Sequence, residues 1–456
     1  MDGEMEKENR EGRSVPRSPG FPLSPMDRRQ FLKGSIAAGF AGMMAPRIQG
    51  QDCCGPPGPI VPRAGADRLK ISDVKSFGVT IDAASDRPYV FVKIETDQGV
   101  VGWGEATLEG KAAGTMATVQ DLRDFLVGQD PMPVEHLWQS IYVHSFYRAG
   151  PVLGSALSGI DQALWDIRGK VLGQPVWRLL GGPIDPRGVR GYYHARAGTK
   201  EEIEALRANA KALGVTALKS GIPGPYEWID THAKIRKAVE SIARLREGLG
   251  DDIDIGIDFH AKCSPAVATQ ICRGVEPLKL MFVEEPCPPE NVEAMLRIKR
   301  RTSVPIATGE RLITAFGCRE IIEKRVVDVL QPDINHVGGI SALWKVGAMA
   351  AASGIQMAPH SCEGPIGAIA TLHVDASMPN FLVQEICSGV EPGPKEKIWE
   401  EWLGFPAMRM KDGRFPLPEK PGLGIELTEA ALAKHPFRGT RLMPRLFHED
   451  GSVAEW

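Results

Sequence analysis

Three short apolar runs each close on a carboxylate: Ile255-Gly-Ile-Asp258, Met281-Phe-Val-Glu284, and Pro305 to Thr308 followed by Gly309-Glu310. Glu284 follows Asp258 by 26 positions, and Glu310 follows Glu284 by 26. That interval holds one strand, one helix and two loops, so the spacing describes consecutive βα units. Apolar runs of this kind are buried parallel strands, and a closed parallel barrel makes consecutive strands neighbours. The three acids then converge on one rim, where oxygen ligands suit a hard cation. Side chains alternate along a strand, so Asp258 and His260 are expected to face the same way.

The same alternation extends on both sides. Strands are predicted at 189–194, 215–220, 253–258, 281–284, 305–308, 327–331, 355–359 and 381–384, with amphipathic helices between them. Glu201–Leu213 places Ile203, Leu206, Ala210 and Leu213 on one face, and Asp230 is the expected N-cap of a helix over 231–247. Eight strands alternating with helices predict a (β/α)8, TIM-type barrel over 186–390. An open doubly wound sheet is the alternative, but no GxGxxG opens any of these helices.

Ahead of the barrel, alternating strands at 74–82 and 89–97 and a third through Gly99–Glu105 precede helices at 112–127, 133–147 and 155–172. Strands and helices in separate runs mean an α+β domain, placed at 69–185. Residues 391–456 are rich in proline and are expected to fold back over the barrel or the first domain. At the other end, residues 1–25 have the composition of a disordered segment. Arg28-Arg29-Gln-Phe31-Leu32-Lys33, followed by the small and apolar stretch Ser35–Ala45, resembles a twin-arginine export signal. Export, with a periplasmic destination, is the expectation; a cytoplasmic protein is the alternative if the signal does not function. The stretch is too short for a stable membrane anchor, and 46–68 reads as a linker. A net charge of -3 offers nucleic acid no basic footprint. The eight cysteines, at 53, 54, 263, 272, 287, 318, 362 and 387, form no CxxC pair and read as buried or idle thiols.

Other strand ends are polar too. Strand six ends Gln331-Pro-Asp333, strand seven Ala358-Pro-His360, and strand eight Gln384-Glu385. Buried charges must be paired or coordinated, so this rim reads as a catalytic face. Asp258, Glu284 and Glu310 offer oxygen alone, which favours Mg2+, or Mn2+, over zinc. Glu285 points the other way and is expected in a structural ion pair. Asp333 beside His360 would fix the imidazole tautomer and suit it to act as a general base. His260, four strands around the ring, would face it as an acid. A cation on a substrate carboxylate stabilises the second charge formed as His360 removes the adjacent proton. Glu385, if protonated, would donate a hydrogen bond to the same oxygen, and His260 would protonate a departing β-hydroxyl.

These motifs resemble the enolase superfamily, in its mandelate racemase branch, and within that the galactonate dehydratase-like enzymes. The likeness is carried by Asp258-Phe-His260, Val283-Glu284-Glu-Pro, Thr308-Gly-Glu310-Arg, Gln331-Pro-Asp333, Pro359-His360 and Glu385, with Val101-Gly-Trp-Gly-Glu105 and Trp165-Asp-Ile-Arg-Gly-Lys ahead of the barrel. It implies a capping domain over a (β/α)7β barrel, Mg2+ on Asp258, Glu284 and Glu310, a His360–Asp333 base dyad, His260 as acid and a sugar acid as substrate. A hydro-lyase yielding a 2-keto-3-deoxy acid is the expectation, in a homo-oligomer. A racemase or epimerase of the same superfamily, or an exported sugar-acid binding protein without catalysis, are the alternatives. Racemases and cycloisomerases of this superfamily carry Lys-x-Lys at the end of strand two; here the sequence is Lys219-Ser-Gly221, and the missing second base argues against two-base racemisation. That leaves Lys219 unassigned, with surface ion pairing or packing of its stem as the plainer readings. Glu363 after the base departs from the family pattern, and the loop near 83–87 is expected to set specificity.

Overall fold

The computed structural model describes residues 68–456 apart from 82–87, 149, 388–392, 407–408 and 440–444. The export-signal stretch, the N-terminal residues 1–25, most of the linker, Cys53, Cys54 and the loop near 83–87 lie outside the described residues.

Strand β1 (Ile71–Val79) pairs antiparallel with β2 (Tyr89–Thr96), and β2 with β3 (Val101–Glu105). The turn that joins β2 to β3 reverses at Gly99, whose φ of +77° suits glycine. Helices α1 (Ala112–Leu126), α2 (Val134–His144) and α3 (Pro151–Leu172) follow. The Gly-Trp-Gly of β3 is explained by contact. A Cβ on Gly102 would stand 2.1 Å from the carbonyl oxygen of Ala163, and one on Gly104 2.0 Å from that of Gly159. Only bare backbone lets α3 lie this close to the sheet. Buried Asp166 of α3 then accepts from the N–H of Trp103 and of Leu423, joining the sheet to the C-terminal segment.

The barrel strands are β4 (Val189–His194), β5 (Ala217–Gly221), β6 (Asp254–Asp258), β7 (Phe282–Glu284), β8 (Ile306–Thr308), β9 (Val329–Leu330), β10 (Gln356–Met357) and β11 (Gln384–Glu385). Each is parallel to its neighbour from β4 to β10, and β11 is parallel to β4. A parallel bridge between Met357 and Phe381, just ahead of β11, closes the ring. Seven helices connect these eight strands among the described residues, from Lys200–Ala212 to Pro365–Asp375. The predicted barrel is therefore present, in its (β/α)7β form. Tyr192, Ala217, Phe282, Ala307, Val329, Ala358 and Val383 pack together as the filled interior. Strand β12 (Arg414–Phe415) adds antiparallel to the start of β4.

Two local expectations are corrected. The second barrel helix is His232–Leu249, and its N-cap is Thr231, whose hydroxyl accepts from the Lys234 N–H. Asp230 instead accepts from the backbone of Glu227 and Thr231 and pairs with Lys234. The second correction concerns His260. Strand β6 stops at Asp258, and His260 and Ala261 take φ of +51° and +56°, so strand alternation does not orient His260. A left-handed turn does so instead.

Candidate active site

The C-terminal ends of the barrel strands open into a cavity of about 440 Å³. Asp258, His260, Glu310 and His360 line it, together with His194, Lys219, His336, Cys362, Cys387 and Trp456. Glu284 and Glu385 lie beneath, fully buried.

The dyad is formed. His360 Nδ1 is 2.6 Å from Asp333 Oδ2, and Asp333 Oδ1 accepts from the Asn335 N–H at 2.6 Å. Burial favours the neutral Asp333 carboxyl, but the charges of His336 and His360 and the hydrogen bonds from His360 and the Asn335 N–H hold it below the ordinary range. With Asp333 ionised, Nδ1 carries the proton and Nε2 faces the cavity, 3.2 Å from Glu310 Oε2. Burial alone would lower His360; Glu310, Glu385 and Asp333 outweigh it and push the imidazole well above its usual range.

Asp258 and Glu284 both face the Lys219 ammonium, and the charges of both act on Glu310. The ammonium is buried, 3.0 Å from both Glu284 oxygens, 3.7 Å from Asp258 Oδ2 and 2.6 Å from Glu385 Oε1. Of the two plainer readings of Lys219, surface ion pairing is corrected: its stem packs in the barrel interior and its buried charge holds the acids together. Gln331 Nε2 donates to Glu284 Oε2 at 2.9 Å. Burial and the charges of Asp258 and Glu385 push Glu284 up to about 7 despite Lys219, and burial pushes Glu310 well up. Oxygen-only ligands that crowd one another in this way fit a hard divalent cation such as Mg2+ or Mn2+, whose charge relieves the crowding.

Glu385 departs from expectation. Burial favours its neutral form, but Lys219, His360 and His194 hold it well below the carboxylate range. With the Lys219 ammonium at 2.6 Å and His194 at 2.7 Å, Glu385 is placed as an acceptor, against the protonation that its donor role requires. His194 Nε2 lies 2.7 Å from Glu385 Oε1, placing another histidine at the rim. His194 was overlooked in the sequence, although it ends the first barrel strand just as Glu284 and Glu385 end theirs. Glu285 pairs with Arg311, Oε2 to Nη2 at 2.7 Å, as a structural ion pair. The His260 N–H donates to Asp258 Oδ1 at 2.6 Å, and its Nδ1 lies 2.5 Å from the backbone oxygen of Trp456.

The first domain braces this face. Gln162 donates to Asn335, Asp161 accepts from the Ser341 N–H, and Trp138 donates to the Gly338 carbonyl. Glu105, at the end of β3, accepts from the N–H groups of Ile366 and Gly367 and so caps the helix that follows the base. Ser155 contacts His336 at 2.9 Å.

Residues 70–181 match the family described as the mandelate racemase / muconate lactonizing enzyme N-terminal domain, and residues 201–431 match the enolase C-terminal domain-like family. This chain belongs to the mandelate racemase branch of the enolase superfamily. Within that superfamily it is galactonate dehydratase-like. A D-galactonate dehydratase from Cronobacter sakazakii is 39% identical over 369 residues, covering 81% of this chain and 96% of the relative. An enolase from Pantoea ananatis, solved with bound D-gluconate and Mg, superposes with a TM-score of 0.75 at 29% identity, over 85% of this chain and 100% of the other. A mandelate racemase/muconate lactonizing enzyme-like protein from Rubrobacter xylanophilus gives 0.74 at 31% identity, over 82% and 99%. Residues 25–45 of this superfamily member match the twin-arginine translocation signal family, which supports export.

Proposed function

We propose that this hydro-lyase converts an aldonate such as galactonate to its 2-keto-3-deoxy acid, with Asp258, Glu284 and Glu310 holding Mg2+. The observation that carries the reading is the 2.6 Å His360–Asp333 dyad, with His360 facing the same cavity as Asp258, Glu310 and His260 and Glu284 buried beneath it. A divalent ion there supplies positive charge that stabilises the charge developing on the substrate carboxylate and offsets the carboxylates that hold His360 protonated. His360 Nε2 takes the proton next to that carboxylate, while ionised Asp333 keeps Nδ1 protonated and steadies the imidazolium. His260, its Nδ1 held by the Trp456 backbone oxygen, presents Nε2 to protonate the departing 3-hydroxyl, so water leaves. Glu385, buried beneath the cavity, accepts from Lys219 at 2.6 Å and from His194 at 2.7 Å, and so holds both side chains where they line the cavity. The twin-arginine match supports a periplasmic site of action.

Incubating the purified protein with a panel of aldonates and aldarates plus Mg2+ and assaying 2-keto acids tests the reading. Keto-acid formation supports it; an epimer as sole product would replace dehydration with epimerisation. In D2O, His360→Asn is expected to lose exchange of the proton next to the carboxylate. His260→Asn is expected to keep exchange and lose dehydration, and loss of both would remove His260 from the acid role.

A further inference from the structure

Four of the described cysteines, Cys263, Cys272, Cys287 and Cys318, are buried in the main apolar core, where a thiol is one more small hydrophobe. Cys362 and Cys387 are different. Each stands two residues beyond a rim residue, Cys362 after His360 and Cys387 after Glu385. Both are half-buried and line the active-site cavity. The Cys387 N–H donates to the Ser361 carbonyl at 3.2 Å, drawing the two loops together, and the thiols hydrogen-bond to each other. His194 comes from the opposite end of the barrel sequence, at the end of β4. One nitrogen of His194 and the two Sγ atoms all lie within 4.8 Å of one another. The steps assigned to the dyad and the acids use neither thiol.

We propose that His194, Cys362 and Cys387 form a second metal site, selective for a thiophilic cation such as Zn2+, which inhibits the enzyme when filled. Tetrahedral zinc, with Zn–S about 2.3 Å and Zn–N about 2.0–2.1 Å, sets its ligands about 3.5–3.8 Å apart. The observed grouping needs only small side-chain rotations to reach that spacing. Two thiolates and an imidazole favour zinc and reject Mg2+, while the neighbouring carboxylates have the opposite preference, so the two cations sort to adjacent sites. Glu385 holds His194 Nε2, which leaves Nδ1 as the nitrogen for the ion, the arrangement of carboxylates behind metal-bound histidines. Binding releases the two thiol protons to solvent and leaves one coordination position open toward the cavity. Cys362 Sγ also groups within 4.8 Å of His360 and Glu385, so the bound ion stands beside the base and obstructs the substrate. The binding itself does not depend on which substrate the enzyme takes.

The test uses the full chain, kept reduced with a phosphine and saturated with Mg2+, and titrated with Zn2+ against a chromophoric chelator. The expected result is one equivalent of Zn2+ bound in addition to Mg2+, and loss of turnover in step with it. Co2+ in place of Zn2+ is expected to give a thiolate-to-cobalt charge-transfer band, a readout that needs no variant. Cys362→Ser/Cys387→Ser is expected to lose the band and the bound equivalent, and His194→Asn to weaken binding at least tenfold. Absence of the band in the unaltered protein, unchanged zinc stoichiometry in the double variant, or a Cys362–Cys387 disulfide that survives the reductant would each overturn the proposal. Because zinc binding is read without substrate, its failure is distinguishable from failure of the dehydratase reading.

Discussion

Lys219 Nζ is 3.0 Å from each carboxylate oxygen of Glu284, a symmetric contact buried at the centre of the barrel mouth. Burial would strip the proton from this lysine, but Glu284 and Glu385 hold its ammonium well above the usual range. Lys219 thus supplies fixed positive charge to a rim that is otherwise dominated by acids.

Replacing it therefore exposes the cost of that crowding. Lys219→Met is expected to lose about 3–5 kcal/mol of stability, because removing one partner strands buried carboxylates. Added Mg2+ is expected to raise the melting temperature of the variant more than that of the unaltered protein. Thermal melts with Mg2+ and with a chelator check both.

Asp333→Asn keeps the shape of the dyad but lets Nδ1 be the deprotonated nitrogen, turning the protonated one toward substrate. The expected result is a fall in kcat of about 10²–10⁴-fold with little change in KM. Steady-state kinetics on whichever aldonate is turned over measure it, with circular dichroism as the check on folding.

His373 gives a pH dependence away from the catalytic face. Its Nδ1 accepts from the Trp177 N–H at 3.1 Å and its Nε2 donates to the Leu423 carbonyl at 3.2 Å, so it is neutral. Burial lowers it to about 4, from 6.5. Between those values the unfolded chain binds more protons than the folded one. The stabilising contribution is complete above pH 6.5 and is lost as pH falls through 4, by at most about 3 kcal/mol. Urea midpoints at pH 7 and 4.5 are expected to differ accordingly, and His373→Gln to flatten the slope.

Glu105→Ala would leave the N–H groups of Ile366 and Gly367 buried without their acceptor. A loss of about 1–3 kcal/mol is expected, with Glu105→Gln losing less because its amide oxygen can still accept. Hydrogen exchange at those two amides, read by NMR, reports the cap directly.

The sequence made the barrel legible because each strand is a short apolar run and Asp258, Glu284 and Glu310 recur every 26 positions. Asp258 and Glu284 close their strands, whereas Glu310, Asp333 and His360 lie two or three residues past the ends of theirs and reach the rim on short loops. His260 was found by an argument that the backbone does not obey, since a positive φ, not strand alternation, turns it toward the cavity. Lys219 and Glu385 were misjudged together. A lysine in a strand looks like a surface residue, and a glutamate among acids looks protonated, until the 2.6 Å contact between them is known. Charges that neutralise each other across strands distant in sequence leave no mark on spacing. The meeting of His194, Cys362 and Cys387 escaped for the same reason, because residues at the two ends of the barrel sequence become neighbours only when the ring closes.

Closure of that ring also sets a timetable. Strand β4 is made early, yet its companions β11 and β12 come from Gln384–Glu385 and Arg414–Phe415. The emerging chain must keep an unfinished sheet edge from sticking to other chains until Phe415 has left the ribosome. Pairing so distant in sequence makes folding slow, and the protein is expected to lean on chaperones during synthesis.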